Sequence, residues 1–156
     1  MKIRLITVGR DRSGALLEAA REFETRLGRY VDFEAVELKE APLKRNHPLD
    51  AVRREEADRI RAARAPGGYG VAFDLRGRLR SSEDWASSLE SWQLEGRRAV
   101  DFWIGGPVGL HADLRREANE TWSLGPLTLP HRLARVVVLE QLYRAFTILK
   151  REPYHK

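Results

Sequence analysis

GYGVAFDLRGRLRSSEDWASSLESWQLEGRRAVDFWIGGPVG, residues Gly68 to Gly109, reads as strand, helix, strand and glycine-rich turn in succession. The runs GYGVAFDL (Gly68–Leu75) and AVDFWIGG (Ala99–Gly106) are short, apolar and bounded by turn residues, as strands covered on both faces are. Between them SEDWASSLESWQLEG (Ser82–Gly96) has the spacing of an amphipathic helix.

The same rhythm extends outward in both directions. KIRLITV (Lys2–Val8) precedes a helical ALLEAAREFETRL (Ala15–Leu27), and FEAVEL (Phe33–Leu38) precedes a helical DAVRREEADRIRAARA (Asp50–Ala65). Downstream come a helical HADLRREANE (His111–Glu120), the run WSLGPLTL (Trp122–Leu129) and a final helix from about Arg132 to Lys150. Strand and helix alternating throughout predicts the α/β class: a mostly parallel sheet with helices on both faces. At 156 residues, 42% of them hydrophobic, the chain is read as one domain, 1–156. There is no internal repeat or long linker, and APLKRNHPL (Ala41–Leu49) is the most irregular segment.

Composition removes several classes of function. There is no cysteine, which excludes disulfides, thiol catalysis and cysteine-bound zinc or iron-sulfur sites. No apolar run approaches the length of a membrane span, and the run Ile3–Val8, broken by Arg4, reads as a strand rather than a signal peptide. A soluble, cytoplasmic protein is expected. The net charge of +5 and pI near 9.9 suit a polyanionic partner. Between His131 and Lys156 six basic residues face two acidic ones, which places most of that excess at the C-terminus.

In α/β sheets ligands bind beyond the carboxyl ends of the strands. Three loops qualify: Asp74–Gly77, Gly105–Gly109 and Leu124–Pro130. Glycine at a strand end lets a backbone approach a ligand closely. IGGPVG lacks the Lys-Ser/Thr of a phosphate loop and is not a G-x-G-x-x-G fingerprint, so a dinucleotide oxidoreductase is poorly supported.

The final helix is apolar over most of its circumference and leaves a narrow polar stripe of Glu140, Arg144, Thr147 and Arg151. A helix so apolar needs partners on nearly every side, one of which is expected to be a second subunit. The chain then closes on REPYHK, in which Pro153 is read as ending the helix, with an aromatic and a histidine beyond it. Trp85, Trp92, Trp103 and Trp122 lie in strand or amphipathic patterns and read as core, and His131 reads as a helix start.

IGGPVGL, followed by WSLGPLTLPHRLARVVVLEQLYRAFTILKREPYHK, resembles the RlmH family of SPOUT (α/β-knot) methyltransferases, and the likeness runs from MKIRLITVG to PYHK. The resemblance implies methylation of N3 of a pseudouridine in bacterial 23S rRNA on the assembled ribosome, with S-adenosylmethionine as donor and no metal. It also implies a homodimer whose active site combines both subunits, and a trefoil knot in the C-terminal third, which general topology rules would never propose. Carried over by position, Phe73, Gly105 and Leu124, Gly125, Pro126, Leu127, Thr128 and Leu129 form the cofactor pocket. Val108 stands where many members have an acidic or polar residue. The chemistry needs a proton acceptor for the imide N3, for which His155 and Glu140 are the candidates. Arg144 would stabilise the developing anion or bind phosphate, and Tyr154 would pack on the target base. The rival reading is a non-enzymatic RNA- or ribosome-binding module using the basic C-terminus.

Overall fold

The computed structural model describes every residue except Asp11, Ser13, Lys44 and Lys156, and describes His155 by its backbone alone. Five strands, β1 (Lys2–Val8), β2 (Asp32–Leu38), β3 (Tyr69–Leu79), β4 (Ala99–Ile104) and β5 (Glu120–Ser123), form one sheet in the order β2-β1-β4-β3-β5. All four strand pairs are parallel.

The order explains where the helices go. The steps β1 to β2 and β3 to β4 run one way along the sheet, and β2 to β3 and β4 to β5 run the other way. With one hand of crossover, connections in opposite directions lie on opposite faces. Accordingly α1 (Ala15–Leu27), α3 (Ser82–Leu94) and the final helix α5 (His131–Leu149) pack on one face, with Ile3, Leu5, Val71, Val100, Phe102 and Trp122. On the other, α2 (Leu49–Ala63) and α4 (Ala112–Glu117) cover Ile6, Val8, Ala72 and Trp103. Residues alternate between the two clusters along β1 and β4, as the period of a strand covered on both sides requires. All four tryptophans are buried.

Local sequence sets the joints. Ser81 Oγ accepts from the Asp84 N–H at 3.1 Å while the Asp84 carboxylate accepts from the Ser81 N–H at 2.9 Å, a capping box that starts α3. Gly70 is small because a Cβ there would lie 2.3 Å from the Trp103 indole. The strand after Phe73 does not stop at Leu75 as its apolar run suggests. It makes an excursion through Asp74–Gly77 and resumes pairing, so that Phe73 and Arg78 both register with Trp122. A Cβ on Gly77 would lie 2.3 Å from the Trp122 carbonyl carbon, so backbone lies directly on backbone there.

The final helix differs from its sequence reading at both edges of its polar stripe. Thr147 is fully buried, its hydroxyl donating to the Arg144 carbonyl at 2.7 Å. Pro153 does not end the helix. Arg151 does, in a left-handed conformation (φ 56°), with its N–H donating to the Ile148 carbonyl and the Glu152 N–H donating to the Thr147 carbonyl. That is a Schellman motif with arginine where glycine is usual. Arg135, counted among the basic residues of the tail, is buried and ion-paired with Glu24 (2.8 Å) and Glu37. Part of the C-terminal charge is therefore neutralised internally.

Two buried carboxylates contrast. Asp101, 1% exposed, accepts from Arg4 at 2.8 and 2.9 Å and from the Ala65 N–H at 2.8 Å, tying β4, β1 and the turn before β3. Glu56, 3% exposed, accepts from the Ala41 N–H at 3.1 Å through one oxygen, and its other oxygen has no partner among the described residues. Burial pushes the Glu56 carboxyl above the usual carboxylate range. Asp101→Ala, which strands the Arg4 guanidinium, should cost about 3 to 5 kcal/mol in urea denaturation. Glu56→Gln should have the opposite sign. A raised folded-state pKa gives stability that is present below the unfolded value and lost as pH rises through the folded one. The glutamine variant should thus exceed wild type in urea midpoint at neutral pH, with the difference shrinking as pH falls toward the ordinary glutamate pKa.

Candidate functional site

The carboxyl ends of β3, β4 and β5 open into a cleft of ≈ 790 Å³. Phe73, Gly105, Leu124, Gly125, Leu127, Thr128 and Leu129 line it, seven of the eight positions expected to hold a cofactor. Pro126 lies in the same loop but not on the wall. Phe73 is fixed from behind, its ring stacked on Trp85 (centroids 5.6 Å apart) and Phe102 (6.1 Å) and edge-on to Trp122 (6.4 Å). The size is that of a pocket for a drug-sized ligand.

The cleft wall is largely main chain. A Cβ at Gly105 would lie 2.8 Å from the Gly109 carbonyl carbon and 2.9 Å from the Leu110 nitrogen. Glycine there closes the Ile104–Leu110 turn upon itself, a tighter reason for it than access of a ligand alone. Gly106 is pressed against Glu56 and Val8, with a Cβ reaching 3.1 Å from each. Gly125 takes a φ of 127°. Among the described residues the N–H groups of Leu127, Thr128 and Leu129 donate to no protein acceptor, leaving three consecutive donors along the wall.

Side chains brace this wall from outside. Arg53 of α2 donates through Nε to the Val108 carbonyl at 2.6 Å, so the loop is held at 108 by its backbone and the valine side chain is not what fixes it. Arg115 of α4 pairs with Asp74 at 2.8 Å and pins the β3 excursion. Neither arginine stands out in the sequence, where α2 alone carries four. His131, the first residue of α5, lines the cleft with Nε2 3.6 Å from Glu40 Oε1.

Three of the four candidate catalytic residues meet elsewhere. Glu140 Oε1 accepts from Arg144 Nε at 3.0 Å, from Arg144 Nη2 at 2.5 Å and from the Tyr154 hydroxyl at 3.1 Å. Its other oxygen accepts from Gln141 Nε2 at 2.6 Å, and Gln141 Oε1 in turn accepts from Ser82 Oγ at 2.7 Å. The Arg144 guanidinium lies 4.8 Å from the Tyr154 ring centroid, and Tyr143 meets that ring edge-on at 4.7 Å. Burial, and then the Glu140 carboxylate, push the Tyr154 hydroxyl up, so it remains a donor at neutral pH. The tail is anchored through Glu152, which accepts from the Tyr30 hydroxyl at 2.5 Å and with burial pushes it to about 12. The His155 side chain lies outside what is described. Gln141 and Ser82, which complete the network, have no signal in the sequence beyond being polar neighbours of apolar positions.

Within one chain the cleft and this cluster do not coincide. His131 stands at the cleft, and Glu140 is nine residues further along α5, about 14 Å at 1.5 Å per residue. Among the described residues no group of three or more histidine, aspartate or glutamate side chains is placed to hold a metal ion, and no helix is long and apolar enough to cross a membrane.

Comparison with known proteins agrees with this architecture. The family model described as a predicted SPOUT methyltransferase matches residues 1–155. A ribosomal RNA large subunit methyltransferase H of Anaeromyxobacter sp. (strain Fw109-5) is 47% identical over 157 residues, covering 100% of both chains. The protein of the same description from Syntrophomonas wolfei is 41% identical over 159 residues with the same coverage. In fold the chain is similar to a probable methylase family protein from Haemophilus influenzae Rd KW20, with a TM-score of 0.56, 16% identity, and coverage of 99% of this chain and 70% of that one. It is similar also to a probable methyltransferase from Bordetella pertussis Tohama I, at a TM-score of 0.55 and 13% identity, covering 92% of this chain and 95% of that one. With a parallel sheet of this order, a main-chain cleft at its carboxyl edge and a family model matched along nearly its whole length, the chain belongs to the SPOUT methyltransferases.

Proposed function

We propose that this methyltransferase transfers a methyl group from S-adenosylmethionine to N3 of a pseudouridine in 23S rRNA, on the assembled ribosome in the bacterial cytoplasm, as a homodimer. The observation that carries the donor assignment is the wall of the cleft: three consecutive residues, Leu127–Leu129, whose N–H groups have no acceptor among the described residues line it together with a glycine turn that has no side chain at Gly105 or Gly106. Such a wall suits a flat heterocycle with hydrogen-bond acceptors on its edge. Phe73, Gly105 and Leu124–Leu129 would hold the donor. When bound, S-adenosylmethionine supplies an electrophilic sulfonium methyl. The chain's own task is then to align the base in line with that methyl and to take the N3 proton.

Glu140 already accepts four hydrogen bonds, which suits it to orienting Arg144 and Tyr154 rather than to taking a proton. Arg144 would stabilise the imide anion, Tyr154 would pack on the base, and His155 would accept the proton. The separation of about 14 Å along α5 favours a composite site, in which the tail of one subunit serves the cleft of the other. The half-buried Leu133, Val136, Val137 and Ile148 of α5 suit a helix shared between two subunits. A knot in the C-terminal third belongs to the same reading. It is supported by the close passage of the Asp74–Gly77 excursion over Trp122 and by Leu124–Pro130 lining the cleft with the Gly105–Gly109 turn.

Gly105→Val should drive its branched side chain into the Gly109–Leu110 backbone. It should weaken S-adenosylmethionine binding about 100-fold, about 2.7 kcal/mol by titration calorimetry, in a protein that still unfolds cooperatively. Unchanged affinity would remove the glycine turn from the donor site. For the composite site, a Gly105→Val subunit and a subunit lacking Tyr154–Lys156 should each be inactive alone on ribosomes. Mixed as heterodimers, they should recover up to about half the wild-type activity per dimer, because one of the two composite sites is then intact. No recovery in verified heterodimers would place both halves of the site in one subunit.

A further inference from the structure

The sequence concentrates surplus positive charge at the C-terminus, yet the unpaired cations are distributed differently. At the carboxyl edge of the sheet, on either side of the cleft, stand Arg10 after β1, Lys39 and Arg45 after β2, Arg76 in the β3 excursion and Arg78 where pairing resumes, with Arg12 following Arg10. All six are exposed, and none has an ion pair with another described residue. Most described carboxylates of the same edge are engaged, while Glu18 and Glu83, in the first turns of α1 and α3, are exposed and form no ion pair with a described residue. Asp74 binds Arg115 at 2.8 Å, Asp50 lies 3.6 Å from Arg54 and 3.4 Å from His111, and Glu40 lies 3.6 Å from His131. Six cations against the two free carboxylates leave the rim of the cleft with a net positive field.

The sheet order gives that field a shape. Four of the cations belong to the β2-β1 side of the glycine turn and two to the β3 side. From β2 to β3 is three strand spacings, about 14 Å, so the cations form two flanks with the cleft between them. Leu127, 72% exposed, and Leu75, 57% exposed, line the same cleft and offer apolar surface between those flanks. Charged flanks with an apolar centre suit a single-stranded nucleic acid whose backbone crosses the opening and whose bases turn inward.

We propose that this rim is the RNA-docking surface of the donor-binding subunit: Arg10, Arg12, Lys39 and Arg45 grip phosphates on one side of the cleft, Arg76 and Arg78 on the other. The proposal rests on the rRNA reading given above and adds which face of the molecule meets the RNA. Surface cations of this kind set affinity through counterion release, and each single-strand phosphate contact contributes about 0.7 to the slope of log K against log salt.

The test is binding of the full-length protein to purified assembled ribosomes across a salt series, with S-adenosylmethionine titration run separately on each variant. The variant R10Q/R12Q/K39Q/R45Q should lower the slope by about 2 to 3, and R78Q by about 0.7. Donor affinity should stay at the wild-type value in both. R29Q/R98Q, at the opposite edge of the sheet, should leave the slope unchanged. A wild-type slope in the rim variants overturns the docking surface alone and leaves the methyltransferase reading intact, and so does an equal fall in the opposite-edge control. A wild-type protein that binds donor but no ribosomal particle at any salt overturns both.

Discussion

The rings of Phe73, Trp85, Trp92, Phe102 and Trp122 form the contact on which the site depends. Trp85 and Phe102 are nearly coplanar in orientation (2°), Trp92 stacks on Trp122 at 5.7 Å, and Trp85 meets Trp122 edge-on at 4.8 Å. One ring comes from β4, one from β5, one from β3 and two from α3, so a single packing event fixes the three strand ends relative to one another. β5 has only four residues and pairs with β3 alone, which makes it the element least able to hold its own position. Trp122 compensates by burying a large aromatic area in that stack, further held by a hydrogen bond from its Nε1 to Glu120 at 2.8 Å. The loop that follows, Leu124–Pro130, inherits its place from this anchor.

Two kinds of order meet in the molecule. The cleft is built from backbone and glycine, and its shape is set by what presses on it from outside: Arg53 on Val108, Arg115 on Asp74, Glu56 and Val8 on Gly106. The cluster on α5 is built from side chains, and its order comes from saturating one carboxylate with donors. Main chain presents the same donors whatever the side chains, while a saturated carboxylate holds an arginine and a tyrosine in one rotamer each.

The alternation of apolar runs with amphipathic stretches was enough to read the class, the parallel sheet and the burial of all four tryptophans, because period and length are local properties. The polar stripe on α5 was half legible. Glu140 and Arg144 do pair, whereas Thr147 turns its hydroxyl back to the helix and is buried. Pro153 was read as the helix stop; the left-handed Arg151 that ends it is a disfavoured conformation for arginine and leaves no compositional mark. Arg135 looked like surface charge because its partners, Glu24 and Glu37, lie about a hundred residues away in the chain. Gly105 was legible as a glycine at a strand end, but the atoms that require it, Gly109 and Leu110, emerge only once the turn is folded. Pairings over such sequence distances carry no periodic signature.

The place of α5 in the core has a consequence for the nascent chain. Val138, Leu139, Leu142, Ala145 and Phe146 occupy the space between α1 and α3, two helices made well before it. A chain still being translated exposes that groove, with Leu5, Ala20, Leu89 and Phe102 around it, until the final helix emerges. Domains often begin to fold from their N-terminal side during synthesis. Here closure waits for α5, so ribosome-bound intermediates of this protein should be the species that chaperones and proteases encounter with its largest apolar surface uncovered.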